Sequence, residues 1–291
     1  MVVIIFYLNS LVNHLDFDQK MPELPEVENI KLGLQHLASS EILRVFTSNY
    51  KLRYQSTLPL QQLQNKIITS ITRRARYLLI YLSDNLLLLI HLGMTGNLCI
   101  KNNFHQHKHL HFACLIKKEQ QEFWLEFSDI RRFGFVDLFY QHKLSQHKFL
   151  QYLGPEPLTD NFDANYLYKA LKNKNLNIKT SLMDNKIVVG IGNIYANEIL
   201  FASKILPTTI SKKLNFIQIT TLIENIKKIL QIAIEHKGSS INNYRNANGN
   251  LGNFQQLHLV YSKKNCSICH NVIQKITQSG RSSYFCNQCQ F

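Results

Sequence analysis

Met21-Pro22-Glu23-Leu24-Pro25-Glu26-Val27-Glu28 sets two prolines and three glutamates in eight positions. Pro25 suits the first turn of a helix, and glutamates there complement the positive end of the helix dipole. From this start Val27, Ile30, Leu34 and Leu37 step by three, four and three, which is one apolar helix face, and Ser39-Ser40 end it. The same octet also reads as chemistry. If translation begins at Met21 and that methionine is removed, Pro22 carries a free secondary α-amine. Such amines titrate near ~7.7–8.0, so roughly a tenth is unprotonated at neutral pH. An amine of that kind can attack an aldehyde-like carbon and form a Schiff base, with Glu23 beside it for acid–base work. Taken alone, the octet favours a plain helix start over a nucleophile.

Upstream, residues 1–20 show no periodicity and read as an extension, either a mis-assigned start or a flexible arm. Downstream, short β-rich runs follow: Ile42–Phe46, Ile67–Ile71, Tyr77–Leu82, Leu86–Ile90, Phe112–Ile116, Phe123–Phe127 and Phe135–Tyr140. Strands at this spacing predict a sandwich or barrel. Lys101–His109, rich in lysine and histidine, reads as a solvated loop. Leu153-Gly154-Pro155-Glu156-Pro157-Leu158 is a boundary signal. Beyond it the pattern predicts helices over Asn165–Leu171, Ile178–Met183, Gly192–Ala202 and Asn215–Ile234, then a Gly/Ser/Asn-rich loop over Gly238–Gly252 and a strand over Leu257–Tyr261.

With 33 Lys and Arg against 19 Asp and Glu, the 291-residue chain has a formal net charge of +14. That surplus points to a polyanionic partner, nucleic acid or an anionic membrane surface. No apolar run approaches the ~20 residues of a membrane span, and Val2–Leu8 lacks the basic flank of a signal peptide, so the cytoplasm is the expected compartment.

Cys266-x-x-Cys269 and Cys286-x-x-Cys289, sixteen residues apart, fit four thiolates around one tetrahedral zinc. With every position taken by protein, that zinc is structural. Lys275, Arg281 and Tyr284 lie between the knuckles, a basic hairpin suited to phosphate contact. Gly190-Ile191-Gly192-Asn193 precedes a helix whose N–H groups can hold a phosphate. It lacks the third glycine of a dinucleotide-binding turn, and that reading is rejected. His91-Leu92-Gly93-Met94-Thr95-Gly96 and Asp129-Ile130-Arg131-Arg132-Phe133-Gly134 each place a large side chain among small ones at a strand end. Met94 and Phe133 read either as core residues under turns or as wedges that unstack a base beside an arginine.

Together, in order from Met21 to the C-terminus, these stretches resemble bacterial formamidopyrimidine-DNA glycosylase, a family that excises oxidised purines. The resemblance implies an α+β fold: an N-terminal β-sandwich flanked by helices (21–150), a helix-two-turn-helix domain (151–256) and a C-terminal zinc finger (257–291). It implies a monomer that binds damaged double-stranded DNA, with zinc as cofactor. Pro22 then attacks C1′ and Glu23 is its acid–base partner. Met94, Arg131 and Phe133 fill the gap left by the flipped base. His109, Arg131, Lys174 and Asn193 contact DNA, Lys179 lies beside the same backbone, and Arg281 serves the final elimination. Two residues depart from the family. Arg76 stands where the family has a lysine credited with proton donation, and an arginine is effectively never deprotonated. Ile130 replaces a usual proline before Arg131. Two rival readings stay open: a catalytically inactive lesion-binding protein, if residues 1–20 are retained, and an endonuclease VIII-like enzyme for oxidised pyrimidines.

Overall fold

The computed structural model describes residues 21–239, 247 and 251–291, so the reading of residues 1–20 and most of the Gly238–Gly252 loop lie outside the described residues. Helix α1 (Leu24–Leu34) begins at the octet, with Glu26 reaching back to cap the Glu23 N–H at 2.9 Å. Its face of Val27, Ile30 and Leu34 is buried against the sandwich core.

Two four-stranded antiparallel sheets follow. One orders β1 (Glu41–Thr47), β6 (Leu110–Lys118), β7 (Gln121–Asp129) and β5 (Gly96–Lys101). The other orders β2 (Ile68–Arg74), β3 (Tyr77–Leu82), β4 (Leu86–His91) and β8 (Phe135–Tyr140). Leu78, Ile80, Leu88, Ile90, Phe112, Cys114, Leu125 and Phe127 meet in the core between the sheets. Burying each leucine, isoleucine or phenylalanine there stabilises by about 1.5–3 kcal/mol. The second sheet is covered on its other face too, by Tyr54, Leu144, Phe149 and Leu150 over Leu79, Leu87, Leu89 and Phe135. That is why β3 and β4 are apolar at nearly every position instead of alternating. The seven expected strands are all present, and β5 is an eighth. Its Gly-Asn-Leu-Cys-Ile-Lys sequence alternates only weakly, yet Leu98 is fully buried where it pairs with Phe127 of β7.

Helices α2 (Ala164–Leu171), α3 (Ile178–Leu182), α4 (Asn193–Ala202) and α5 (Phe216–Glu235) form a second core. Asp163 and Asn177 cap α2 and α3, accepting from Tyr166 N at 2.7 Å and Thr180 N at 2.9 Å. Asn215 and Gln218 form a reciprocal cap on α5. The α+β architecture is the expected one. At Leu257–Tyr261, however, the chain makes no strand. The N–H groups of Leu259, Val260 and Tyr261 donate instead to the buried Glu198 carboxylate of α4, at 2.6, 3.1 and 2.7 Å, so no sheet partner is required. The finger hairpin pairs β9 (Gln274–Gln278) with β10 (Arg281–Phe285). Ser279 and Gly280 turn it at φ 49° and 74°, the left-handed pair that a two-residue hairpin demands.

Candidate active site and nucleic-acid interface

Glu23 is buried where the N-terminal segment meets the start of α4. Its Oε2 accepts from Gly192 N at 2.7 Å and Tyr195 N at 3.4 Å, and its Oε1 from Ile194 N at 2.9 Å. A residue 169 positions away thus caps this helix from outside. Gly192 is required by contact: a Cβ there would stand 2.2 Å from Glu23 Cδ. Gly190, at φ +80°, turns the loop so that its carbonyl accepts from Leu24 N at 2.9 Å. Burial pushes the Glu23 carboxyl up to about 7, against the opposing pull of Arg76, with Glu26 adding to the rise and the Ile194 and Gly192 N–H groups subtracting from it.

Glu26 is a second buried carboxyl behind the first. Besides Glu23 N, it accepts from Tyr195 Oη and Ser239 N, both at 2.7 Å. Burial raises its pKa, and burial together with the Glu26 carboxylate raises that of Tyr195. Glu26 is not among the functional residues that the sequence singles out. Its signal was the three-residue spacing from Glu23, a capping-box interval.

Pro22 is buried directly before this cap. Arg76 reaches the same place, donating to Ile191 O at 2.8 Å and facing Met21 Sδ at 3.3 Å. Burial lowers its proton affinity and Glu23 restores part of it, while Arg281 lies near enough to lower it further. Arg76 Nε and Asn193 Oδ1 are buried with no hydrogen-bond partner among the described residues. The turn carrying Arg76 is gripped from the segment that leads from the sandwich to α2. Glu156 accepts from Ala75 N at 2.7 Å and pairs with Arg73 and Arg74 at 2.8 and 3.1 Å.

At the edge of the sandwich the two wedge candidates lie on touching loops. A Cβ on Gly93 would fall 2.4 Å from Gly134 N. Phe133 is 37% exposed, with the Arg131 guanidinium 4.7 Å from its ring centroid. Met94, His109 and Arg131 are half-buried. His91, below the loop, is held neutral: burial, then Arg76 and Arg53, push its pKa down to about 4.

In the helical part, Lys174 is half-exposed after α2 and Asn193 opens α4. Lys179 departs from the expectation of a DNA-facing cation. It is 2% exposed, and its ammonium donates to Ser282 O and Ser283 Oγ, both at 2.7 Å, because α3 packs directly beneath the finger hairpin. Arg281, at the start of β10, is exposed. The four cysteine sulfurs lie within 4.8 Å of one another, with Cys266–Cys289 at 3.7 Å and Cys269–Cys286 at 3.4 Å. Tetrahedral zinc with Zn–S near ~2.3 Å requires sulfurs about 3.8 Å apart. One structural zinc fits. Asn197 Oδ1 of α4 accepts from Tyr284 N at 2.8 Å and Glu198 holds the approach, so α4 carries the finger at one end and Glu23 at the other.

Among the described residues no helix is long and apolar enough to cross a membrane. Family models match along most of the chain: the formamidopyrimidine-DNA glycosylase N-terminal domain over residues 21–136, the H2TH domain of the same family over 153–245, and a zinc finger found in FPG and IleRS over 263–290. The formamidopyrimidine-DNA glycosylase of Wolbachia pipientis subsp. Culex pipiens is 42% identical over 275 residues, 93% of this chain and all of that protein. The enzyme of that name from Legionella pneumophila strain Philadelphia 1 is 43% identical, over 93% of this chain and 98% of its own length. Among solved structures, Lactococcus lactis Fpg matches in complex with abasic-site DNA, at TM-score 0.83 and 32% identity over 92% of this chain and 99% of that one. A point mutant of that protein bound to Fapy-dG DNA matches at 0.84, with the same identity and coverage. On its fold, its four-cysteine finger and these matches, the chain belongs to the formamidopyrimidine-DNA glycosylase family and is a zinc-finger DNA glycosylase.

Proposed function

We propose that the protein removes oxidised purines from double-stranded DNA and then cuts the abasic strand, with Pro22 as nucleophile once its nitrogen is a free α-amine. The amine attacks C1′ as the N-glycosidic bond breaks, and the departing base takes up a proton. Opening of the sugar leaves an iminium to Pro22. Loss of a C2′ proton then expels the 3′ phosphate, and a second elimination expels the 5′ phosphate. Glu23 moves protons in these steps. Arg76, in place of a lysine, holds phosphate charge and does not shuttle a proton. Residues 21–150 supply most of the chemistry, 151–256 and 257–291 grip the backbone, and the protein works as a monomer in the cytoplasm. Met94, Phe133 and Arg131 occupy the space of the flipped base, His109, Lys174 and Asn193 meet the strand, and Arg281 of the finger serves the final elimination.

One observation carries this reading: the Glu23 carboxyl is buried next to Pro22, fixed by the helix start that also presents Asn193, and that burial pushes its pKa up to about 7. A group poised near the working pH can both give and take a proton. The unpartnered Arg76 Nε and Asn193 Oδ1 mark where a polar ligand would be received. The Lactococcus relatives were solved with Fapy-dG and abasic DNA, which agrees with this substrate class.

The reading requires that no residue precede Pro22, because an amide nitrogen has its lone pair delocalised into the carbonyl. Borohydride trapping on abasic duplex tests it. A chain beginning at Pro22 is expected to be trapped covalently, while one retaining residues 1–20 binds the same duplex without being trapped. Equal trapping of the two forms would move the nucleophile to another amine. Binding by both with trapping by neither would favour an inactive lesion binder.

A further inference from the structure

We infer that Asp129 is a positioning residue for base extrusion, its buried carboxylate clasping the two wedge-bearing loops into one preformed unit. This rests on the proposed glycosylase reading and deepens it. Asp129 ends β7 and is 0% exposed. Its Oδ1 accepts the Thr95 hydroxyl and, at 3.1 Å, Arg131 N. Its Oδ2 accepts Gly134 N at 2.8 Å. Thr95 Oγ1 accepts Arg131 N as well, at 3.0 Å, which ties the first loop to the second. The Asp129 backbone N–H donates to His109 O at 2.9 Å, and its carbonyl lies 2.8 Å from His111 Nε2. Four residues assigned to the strand or the gap are therefore bonded to Asp129 or adjacent to a residue that is. Met94 precedes Thr95, Phe133 precedes Gly134, and His109 and Arg131 bond to it directly.

The loop needs such a clasp. Arg132 sits at φ +58°, a left-handed conformation that costs a non-glycine residue energy unless neighbours enforce it. Ile130 is 57% exposed and contributes little packing, and it lacks the fixed φ that a proline would supply. A buried carboxylate is costly unless its oxygens are hydrogen-bonded, and here three donors meet it. What the arrangement provides is preorganisation. Extruding a base already costs a few kcal/mol, and a wedge that first had to order itself would add to that barrier.

The test separates extrusion from the later chemistry. Asp129→Asn, Thr95→Val and Thr95→Ser, each in the form beginning at Pro22, are compared in two assays: single-turnover excision of an oxidised purine paired in duplex, and borohydride trapping on duplex already abasic. Asp129→Asn turns one oxygen into an amide donor facing an N–H group, and Thr95→Val deletes the bridging hydroxyl. Both are expected to slow excision at least about tenfold, the scale of one buried hydrogen bond, with trapping within about threefold of the unaltered protein. Thr95→Ser is expected to keep both. Equal losses in the two assays, or unimpaired excision in Thr95→Val, would overturn the inference, and Thr95→Val decides if Asp129→Asn does not fold. Failure of the unaltered protein to trap would sink the glycosylase–lyase reading instead, a result distinct from failure of the clasp.

Discussion

Two opposing effects act on the proton of Glu23. The N–H groups of Gly192 and Ile194 and the charge of Arg76 favour the carboxylate, while burial and Glu26 favour the acid, and burial dominates, with the pKa near 7. The folded chain therefore holds this proton more tightly than the unfolded one. Stability from this group is fully present below pH 4.5 and is lost as pH rises toward about 7. The difference corresponds to about 3 kcal/mol. Melting temperatures measured from pH 5 to 8 are expected to decline, and to decline less in Glu23→Gln. The residual decline is assigned to Glu26 and Glu198, whose pKa values burial raises in the same direction. Kinetically, excision is expected to show an apparent pKa of about 7 that is lost in Glu23→Gln, leaving the ionisation of the Pro22 amine near ~7.7–8.0. A profile with no ionisation between pH 6 and 8 would remove Glu23 from the acid–base role.

Helix α4 is the element on which the parts converge. Ile194 and Phe201 face the finger, Tyr195, Ala196, Ile199 and Leu200 face the helical core, and its first N–H groups face Glu23. Burial all round explains why its sequence shows no polar face. Gly192→Ala would place a methyl group 2.2 Å from Glu23 Cδ. The carboxyl must then shift by about an ångström, and excision is expected to fall roughly 100-fold, with the far-ultraviolet circular dichroism unchanged. At the other end of α4 the finger depends on metal. Metal analysis is expected to find about one zinc per chain. Cys286→Ser, or chelation, should unfold the finger and weaken DNA binding while the sandwich still melts cooperatively. Carefully purified protein without zinc would contradict this.

For the molecule as a whole, a net charge of +14 makes binding to undamaged duplex a matter of phosphate contact and released counterions. Affinity is expected to fall steeply with salt. Lys174→Ala should reduce the slope by roughly one. Lys179→Ala is expected to act differently, because its ammonium is spent on Ser282 and Ser283 under the finger. It should lower the melting temperature more than it changes the slope, and equal slope changes in the two variants would restore Lys179 to the phosphate-contacting set. Glu156 is one of the contacts between the sandwich and the chain that leads into α2, gripping the turn that carries Arg76. Removing that carboxylate leaves Arg73, 9% exposed, with Glu28 as its one ionic partner among the described residues. Glu156→Ala is expected to cost about 3 kcal/mol of stability and to lower excision through Arg76.

The sequence by itself determined whatever depends on neighbours along the chain. Helix caps at Glu26, Asp163, Asn177 and Asn215 are local hydrogen bonds, seven strands follow local apolar runs, and two Cys-x-x-Cys knuckles declare their metal by spacing. Motif order was enough to indicate the family. Tertiary structure alone decided what depends on distant backbone. Glu23 meets Gly192 across 169 residues, and its pKa is a property of the burial created there. Asp129 finds Thr95 only because β5 and β7 pair, and the pairing depends on a strand whose own alternation is faint. Lys179 reads as a surface cation until α3 and the finger close over it. The physical reason is common to all three. Local propensity acts between residues a turn or a pleat apart, whereas desolvation and side-chain pairing act through space that folding creates.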